Sequence, residues 1–334
     1  MNKPIVVISH WVHPETTALL SPHGNVIQND TRESLSPEEL LARAREATAL
    51  MAFMPDRVDE AFLRECPKLK IVAGALKGFD NLDTDACAGH KVWVSIVPDL
   101  LTVPTAELAV GLLLAVSRRV AAGDARVRSG EFQGWRPVLY GEALAGRTVG
   151  ILGFGKVGQT IARRLSGFDV QLCYCDPGVS EAGAEVKRDP RRVSLEELLA
   201  KSDHLILAAP LTPSTFHLLD RSALERVKGG ACVVNVGRGS VVDEEAVAQA
   251  LSSGQLSGYA ADVFEMEDLS LPERPRSICR ALLEQRERTV FTPHLGSAVK
   301  DVRKAIERSA AENIIDVLEG RAPRNAVNSD LRGA

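Results

Sequence analysis

Three segments of the chain each set one side chain suited to anion or proton chemistry just beyond an apolar run. They are Val236-Gly-Arg238-Gly-Ser240, Asp262-Val-Phe-Glu-Met-Glu267 and Thr292-Pro-His294. Arg238 is a fixed cation whose planar fork can grip an oxyanion through two parallel hydrogen bonds. His294 can exchange a proton near neutral pH, and a carboxylate behind it would fix its tautomer and stabilise the imidazolium. Glu267 is the candidate for that carboxylate. Taken singly, each residue has an ordinary reading as a surface ion pair, a solvated acid or a packed histidine. All three at the ends of apolar runs argue for one site.

A fourth segment supplies a cofactor. The apolar run Val149 to Leu152 reads as a buried strand, and Gly153, Gly155 and Gly158 then open a helix with Val157, Ile161 and Leu165 on its apolar face. Gly153 permits a tight turn, Gly155 lets a pyrophosphate approach the backbone, and Gly158 lets helix and strand pack closely. The helix N-terminus offers unpaired N–H groups to the phosphates. The next strand, Val170 to Cys175, ends at Asp176, eighteen residues beyond Gly158. A carboxylate there accepts hydrogen bonds from a ribose 2′-hydroxyl and repels a 2′-phosphate, so NAD is expected over NADP. Pro177 and the lack of a basic residue before Lys187 do not contradict this. The expected cofactor contacts are Gly153, Phe154, Gly155, Lys156, Val157, Gly158 and Asp176.

These segments need a scaffold. Strands expected at Ile5 to Ser9, Asn25 to Gln28, Ala49 to Phe53, Lys70 to Ala73 and Val92 to Ser95 alternate with helices and make a small parallel sheet without a glycine fingerprint. Its best helix signal is Ser36 as N-cap, Pro37 at the first position and Glu38 and Glu39 in the first turn. Its ligand-facing loops would be Met54-Pro55-Asp56 and Ala75 to Asn81. After the crossing from Pro98 to Pro104, Thr105 to about Arg128 reads as one long helix. Gly130 to Tyr140 then gathers Phe132, Trp135 and Tyr140, in a chain only 4% aromatic, as a pocket wall, a subunit contact or local packing. From the fingerprint on, strands at Val170 to Cys175, His204 to Ala209, Cys232 to Val236, Gly258 to Asp262 and Thr289 to Thr292 complete a second sheet. A last helix from about Val299 to Leu318 is expected to return to the first domain.

The expected fold class is α/β with two doubly wound parallel-sheet domains. One is a Rossmann NAD-binding domain over 101–295. The other is a smaller flavodoxin-like substrate domain formed by both chain ends, 1–100 plus 296–334. A length of 334 residues suits two domains. A net charge of −4 argues against nucleic-acid or membrane-surface partners, and no segment is expected to approach a membrane span. A cytoplasmic location follows as an expectation. Six cysteines without paired spacing read as reduced thiols. His10 and His13 lack a third ligand nearby, so no metal site is expected.

The succession GFGKVG (Gly153 to Gly158), Asp176, GRGSVVDE (Gly237 to Glu244), DVFEME (Asp262 to Glu267) and TPHLGSA (Thr292 to Ala298) resembles the NAD-dependent D-2-hydroxyacid dehydrogenase family over essentially the whole chain. Within it, MAFMPDRVD (Met51 to Asp59), ALKGFDN (Ala75 to Asn81), VPDLLTVPTAE (Val97 to Glu107), VRSGEFQGW (Val127 to Trp135) and YAADVFEMED (Tyr259 to Asp268) are most similar to its phosphonate (phosphite) dehydrogenase branch. The resemblance implies Arg238, Glu267 and His294 as the catalytic set, and Asp262 near the nicotinamide carboxamide. It also implies further cofactor contacts at Thr105, Pro210, Thr215, Val236, Gly237, Arg238, His294 and Gly296. The phosphite branch adds Lys77 as a substrate-binding and catalytic residue, with Gly78, Met54, Trp135, Tyr140 and Arg303 lining or supporting the site. The broad family carries a small residue at Lys77 and often a proline at Asp268.

Two cations suit a dianion, so the sequence expectation is phosphite oxidation by NAD, giving phosphate and NADH. In that scheme His294, backed by Glu267, deprotonates a water that attacks phosphorus while hydride departs. The alternative is a D-2-hydroxyacid dehydrogenase acting on a small 2-hydroxy or 2-oxo acid, and a more distant one is an NAD-sensing, corepressor-like binding protein. The family pattern also implies a homodimer.

Overall fold

The computed structural model describes residues 3–97, 99–179 and 190–328. Pro98 and Lys187, both used above, lie outside the described residues. The chain divides into two compact units, Met1–Leu101 with Leu269–Pro272 and Val299–Ala334, and Thr102–Asp268 with Glu273–Ala298.

In the first unit five strands, β1 (Ile5–Ile8), β2 (Asn25–Gln28), β3 (Ala49–Ala52), β4 (Ile71–Gly74) and β5 (Trp93–Ser95), form a parallel sheet in the order β2-β1-β3-β4-β5. The inner runs β1, β3 and β4 carry no polar side chain because both of their faces are covered, whereas the edge strand β2 begins and ends on the polar Asn25 and Gln28. Val7, Leu50, Val72 and Val94 enter one core, while Val6, Ile8, Met51 and Ile71 enter the other. The helix Lys300–Leu318 closes that second face with Ile306, Ala310 and Ile314. The helix Pro37–Ala44 opens with a full capping box, Glu39 N–H donating to Ser36 Oγ and the Glu39 carboxylate accepting from Ser36 N–H.

The second unit holds seven parallel strands: β6 (Thr148–Leu152), β7 (Gln171–Cys175), β8 (Arg191–Arg192), β9 (His204–Leu207), β10 (Ala231–Asn235), β11 (Leu256–Ala261) and β12 (Thr289–Phe291). Their order is β12-β11-β10-β9-β6-β7-β8, so successive strands turn outward in opposite directions from β6. The point of reversal lies between β6 and β9, the place where doubly wound sheets generally bind their ligands. Both sheets carry the α/β architecture read from the sequence.

Two expectations are corrected. The single helix over Thr105 to Arg128 is two, Thr102–Ser117 and Val120–Arg128, separated at Arg119, which is left-handed at φ 56. Tertiary contacts hold the break: Glu142 N–H donates to the Ser117 carbonyl at 2.9 Å, and Arg119 Nη1 reaches the Glu287 carbonyl at 2.9 Å. No glycine or proline marks that point. Likewise, the helical run Asp99–Ser117, at 19 residues, is long and apolar enough to cross a membrane by length and composition. Here Ala106, Ala109, Leu113 and Val116 spend that apolar surface in the core beside the second sheet.

Candidate active site

Strand register brings the chemistry of the second unit to one edge. Asn235, Ala261 and Phe291 are row partners at the carboxyl ends of β10, β11 and β12. Parallel neighbours lie about 4.8 Å apart. Arg238 and His294 each follow three residues beyond that row, and Asp262 and Glu267 follow β11 between them.

His294 Nδ1 lies 2.7 Å from Glu267 Oε2. An ionised carboxylate only accepts, so Nδ1 carries the proton in this pair and Nε2 is left for chemistry. The other carboxylate oxygen of Glu267 accepts Phe264 N–H at 2.8 Å, which anchors the acid to its own short turn, Glu265–Glu267. His294 is itself in the left-handed region, at φ 54, a conformation that costs energy in a non-glycine residue. Its N–H is held by the carbonyls of Asp262 and Thr292, each at 3.0 Å. Asp262, almost fully buried, shapes the rest of that loop. Its carboxylate accepts Leu295 N–H and Thr292 Oγ1, each at 2.6 Å, and Gly296 N–H at 2.8 Å. A Cβ on Gly296 would lie 3.0 Å from Thr105 Oγ1, so these two expected cofactor residues adjoin.

The glycine loop after β6 fits a dinucleotide on steric grounds. Gly153 is left-handed at φ 87, and a Cβ there would come within 2.7 Å of Ala209 N. A Cβ on Gly158 would overlap the Gly153 carbonyl oxygen, whereas one on Gly155 would meet nothing within 4 Å. Two glycines are thus needed by the chain, and the middle one leaves room outward, where Lys156 and Val157 begin a ten-residue helix. The side chain of Phe154 turns inward, stacked on Tyr174 at 3.9 Å, so only its backbone faces the loop. Asp176 Oδ2 accepts Phe154 N–H at 2.6 Å and Oδ1 accepts Gly178 N–H at 2.8 Å. Thr215 Oγ1 ties to the Pro210 carbonyl at 2.7 Å. Gly237, which follows the buried Val236, is another position where a Cβ would overlap backbone, here the Ala209 carbonyl oxygen.

A family model for the D-isomer specific 2-hydroxyacid dehydrogenase NAD binding domain matches residues 110–296. The chain belongs to this family. It is 38% identical over 297 residues to a protein named glyoxylate reductase from Thermococcus litoralis, covering 87% of each chain. It is 36% identical to one of the same name from Thermococcus onnurineus, covering 98% of this chain and 97% of that one. Among solved structures, a protein from Thermus thermophilus aligns at TM-score 0.86 and 35% identity, over 97% of this chain and 99% of that one. An NADPH-dependent glyoxylate/hydroxypyruvate reductase from Sinorhizobium meliloti, in complex with NADP and malonate, aligns at TM-score 0.83 and 26% identity, over 98% and 97%. This D-2-hydroxyacid dehydrogenase family member is therefore an oxidoreductase with an NAD-binding domain. Both Thermococcus relatives carry the name glyoxylate reductase, and neither that of a phosphite enzyme.

In the first unit of this dehydrogenase the expected residues fall into two groups. Lys77 and Gly78 follow β4, and Lys77 Nζ lies 3.3 Å from Asp99 Oδ1. Met54 follows β3 next to Phe53, whose ring has the Arg303 guanidinium at 5.5 Å and the His10 ring at 5.2 Å. Burial pushes the Arg303 pKa below the usual guanidinium value, against the opposing charge of Glu307. Trp135 and Tyr140 belong to the second unit and are 83% and 75% exposed, so the described residues leave most of each ring uncovered.

Several participants carried no local signal in the sequence. Asp56, entered above only as part of a loop, is buried and accepts Ser9 Oγ and Phe53 N–H, with His10 Nε2 at 3.8 Å. His13, set aside as a metal ligand, donates its N–H to Glu307 at 2.9 Å and pairs its ring with the same carboxylate. Asp268, in the position where proline was the family's usual choice, accepts Ser240 N–H at 2.6 Å. Apart from the Asp56–Phe53 contact, each is a pairing across many residues of sequence, so residue type alone could not announce it.

Proposed function

We propose that the chain reduces a small 2-oxo acid of the glyoxylate type to the corresponding D-2-hydroxy acid with NADH, and runs the reverse oxidation with NAD. The observation that carries this reading is the His294–Glu267 pair at 2.7 Å, on the loops after β12 and β11, with the arginine-bearing turn following the adjacent β10. Arg238 grips the substrate carboxylate and polarises the 2-oxo group. His294 Nε2 delivers a proton to the carbonyl oxygen as that oxygen gains charge, and Glu267 stabilises the imidazolium beforehand. The nicotinamide, when bound, supplies the hydride. In the reverse direction His294 accepts the hydroxyl proton.

A second reading, phosphite oxidation, is favoured by Lys77 and by the five sequence segments resembling the phosphite branch. It requires Lys77 to add its charge to that of Arg238 on a dianion, with His294 taking a proton from the attacking water. We further propose a homodimer that covers the aromatic segment.

One assay separates the two substrates: NADH consumption with glyoxylate and hydroxypyruvate, beside NADH formation with phosphite, D-lactate and D-glycerate. Turnover of the organic acids with phosphite inert supports the first reading; phosphite alone supports the second. Under either, His294→Ala is expected to lose about 10²–10⁴-fold in kcat, and Glu267→Gln about tenfold or more. Near-normal turnover in both variants refutes the shared mechanism.

A further inference from the structure

Ser240 is fully buried, and its backbone is gripped from both ends. Asp268 Oδ2 accepts its N–H at 2.6 Å, and its carbonyl accepts His217 N–H at 2.7 Å. Ser240 sits inside the short turn Gly239–Val241, whose N-cap is Arg238. The turn has little slack. The Arg238 carbonyl accepts Asn235 Nδ2 at 2.9 Å and Val241 N–H at 3.2 Å, and a Cβ on Gly239 would overlap the backbone of Phe264 and Glu265.

Asp268 also follows Glu267 directly. One carboxylate clasps His294, and the next in the chain clasps the turn that carries Arg238. A second link runs alongside, Glu244 N–H to Glu265 Oε1 at 2.8 Å and Glu265 N–H to Glu244 Oε1 at 2.9 Å, but it ties the residue at the start of the acid's turn to the start of the helix Glu244–Ser253, not to the turn that Arg238 caps. Of these contacts, the Asp268–Ser240 bond is the one that joins the residue after the acid to the residues after the arginine.

We propose that Asp268 is a positioning residue that sets Arg238 relative to the His294–Glu267 pair, and so governs how tightly the anionic substrate is held. A proline at this position would have no carboxylate with which to take the Ser240 N–H. The inference rests on the reading of Arg238 as the substrate-gripping cation, and it asks for an effect on substrate KM with little effect on NAD.

The test is a double-mutant cycle of Asp268→Ala with Arg238→Lys, read with glyoxylate and NADH or with phosphite and NAD, whichever pair turns over. Asp268→Ala alone is expected to raise substrate KM about tenfold while the KM for the nicotinamide cofactor stays within about twofold. Asp268→Asn keeps an acceptor for Ser240 N–H and is expected to recover substrate KM to within about threefold of the parent. In the Arg238→Lys background, Asp268→Ala is expected to cost less than about twofold more, because the group it aims is already altered. Asp268→Leu, which fills a similar volume without an acceptor, replaces the alanine variant if that fails to fold. Full multiplicative losses in the cycle, an asparagine variant no better than alanine, or cofactor KM rising in step with substrate KM would each overturn the proposal. If Arg238→Lys alone leaves substrate KM unchanged, the reading of Arg238 fails instead.

Discussion

At the scale of single residues, the carboxylates of the second unit divide labour by what they accept. Asp262 spends its oxygens on the loop that presents His294, whereas Asp176 spends one on the glycine loop and one on its own turn. Asp176 also stands beside a guanidinium: Arg192 Nη2 donates to the Asp176 carbonyl at 3.2 Å. We propose that this carboxylate discriminates against a 2′-phosphate, with a cation already next to it. Asp176→Ala removes the repulsion and the ribose acceptor together. The expected outcome is a rise in NAD KM of about tenfold and a gain in NADP use, so that the ratio of kcat/KM for the two cofactors shifts by about tenfold or more toward NADP. Steady-state kinetics with both cofactors check it, and an unchanged ratio would mean that the ribose is read elsewhere.

At the scale of elements, the strand ends of the first unit hold a buried acid with a consequence for stability. Burial pushes the Asp56 carboxyl up to about 6, although hydrogen bonds from Ser9 and from the Phe53 N–H hold it down. The folded pKa stands above the unfolded value of about 3.9, so the folded chain binds the extra proton between these limits. Stability from this group is therefore present below about pH 4 and falls as pH rises to about 6, by a total of about 3 kcal/mol. Asp56→Asn keeps the shape and removes the titration. Urea unfolding of both proteins should show the variant gaining on the parent between pH 4 and pH 7 by up to that amount; a pH-independent difference would refute it. None of this was legible in Met54-Pro55-Asp56 as a string. What was legible was local: the capping box at Ser36, the three glycines and the continuous apolar strands each follow from neighbours a few residues apart. The break at Arg119 was not, because a carbonyl taken by Glu142 and a side chain bound to Glu287 make it, and neither is near in sequence. The same holds for Asp268, whose partner Ser240 lies on a different strand-end loop.

At the scale of the whole molecule, the least explained surface is apolar. Trp135 is 83% exposed, Tyr140 75%, and Phe132 and Val127 58% each, all on one stretch that begins in the helix Val120–Arg128 and runs to residue 140. Single exposed apolar side chains need no explanation, but several large ones in one run mark an interaction surface. Aromatic residues are also the usual anchors of stable interfaces, where each buried ring contributes far more than the polar rim around it. The occupant we propose is a second copy of this chain. The chain is then expected to sediment at twice its own mass at micromolar concentration. Trp135→Asp with Tyr140→Asp places two charges where the interface would be dry, a change that costs several kcal/mol and so shifts the dissociation constant by about 10²-fold or more. Sedimentation velocity on the parent and the double variant reads both outcomes. A parent that runs as a monomer, or a double variant that stays dimeric, would assign the aromatic segment to something other than self-association.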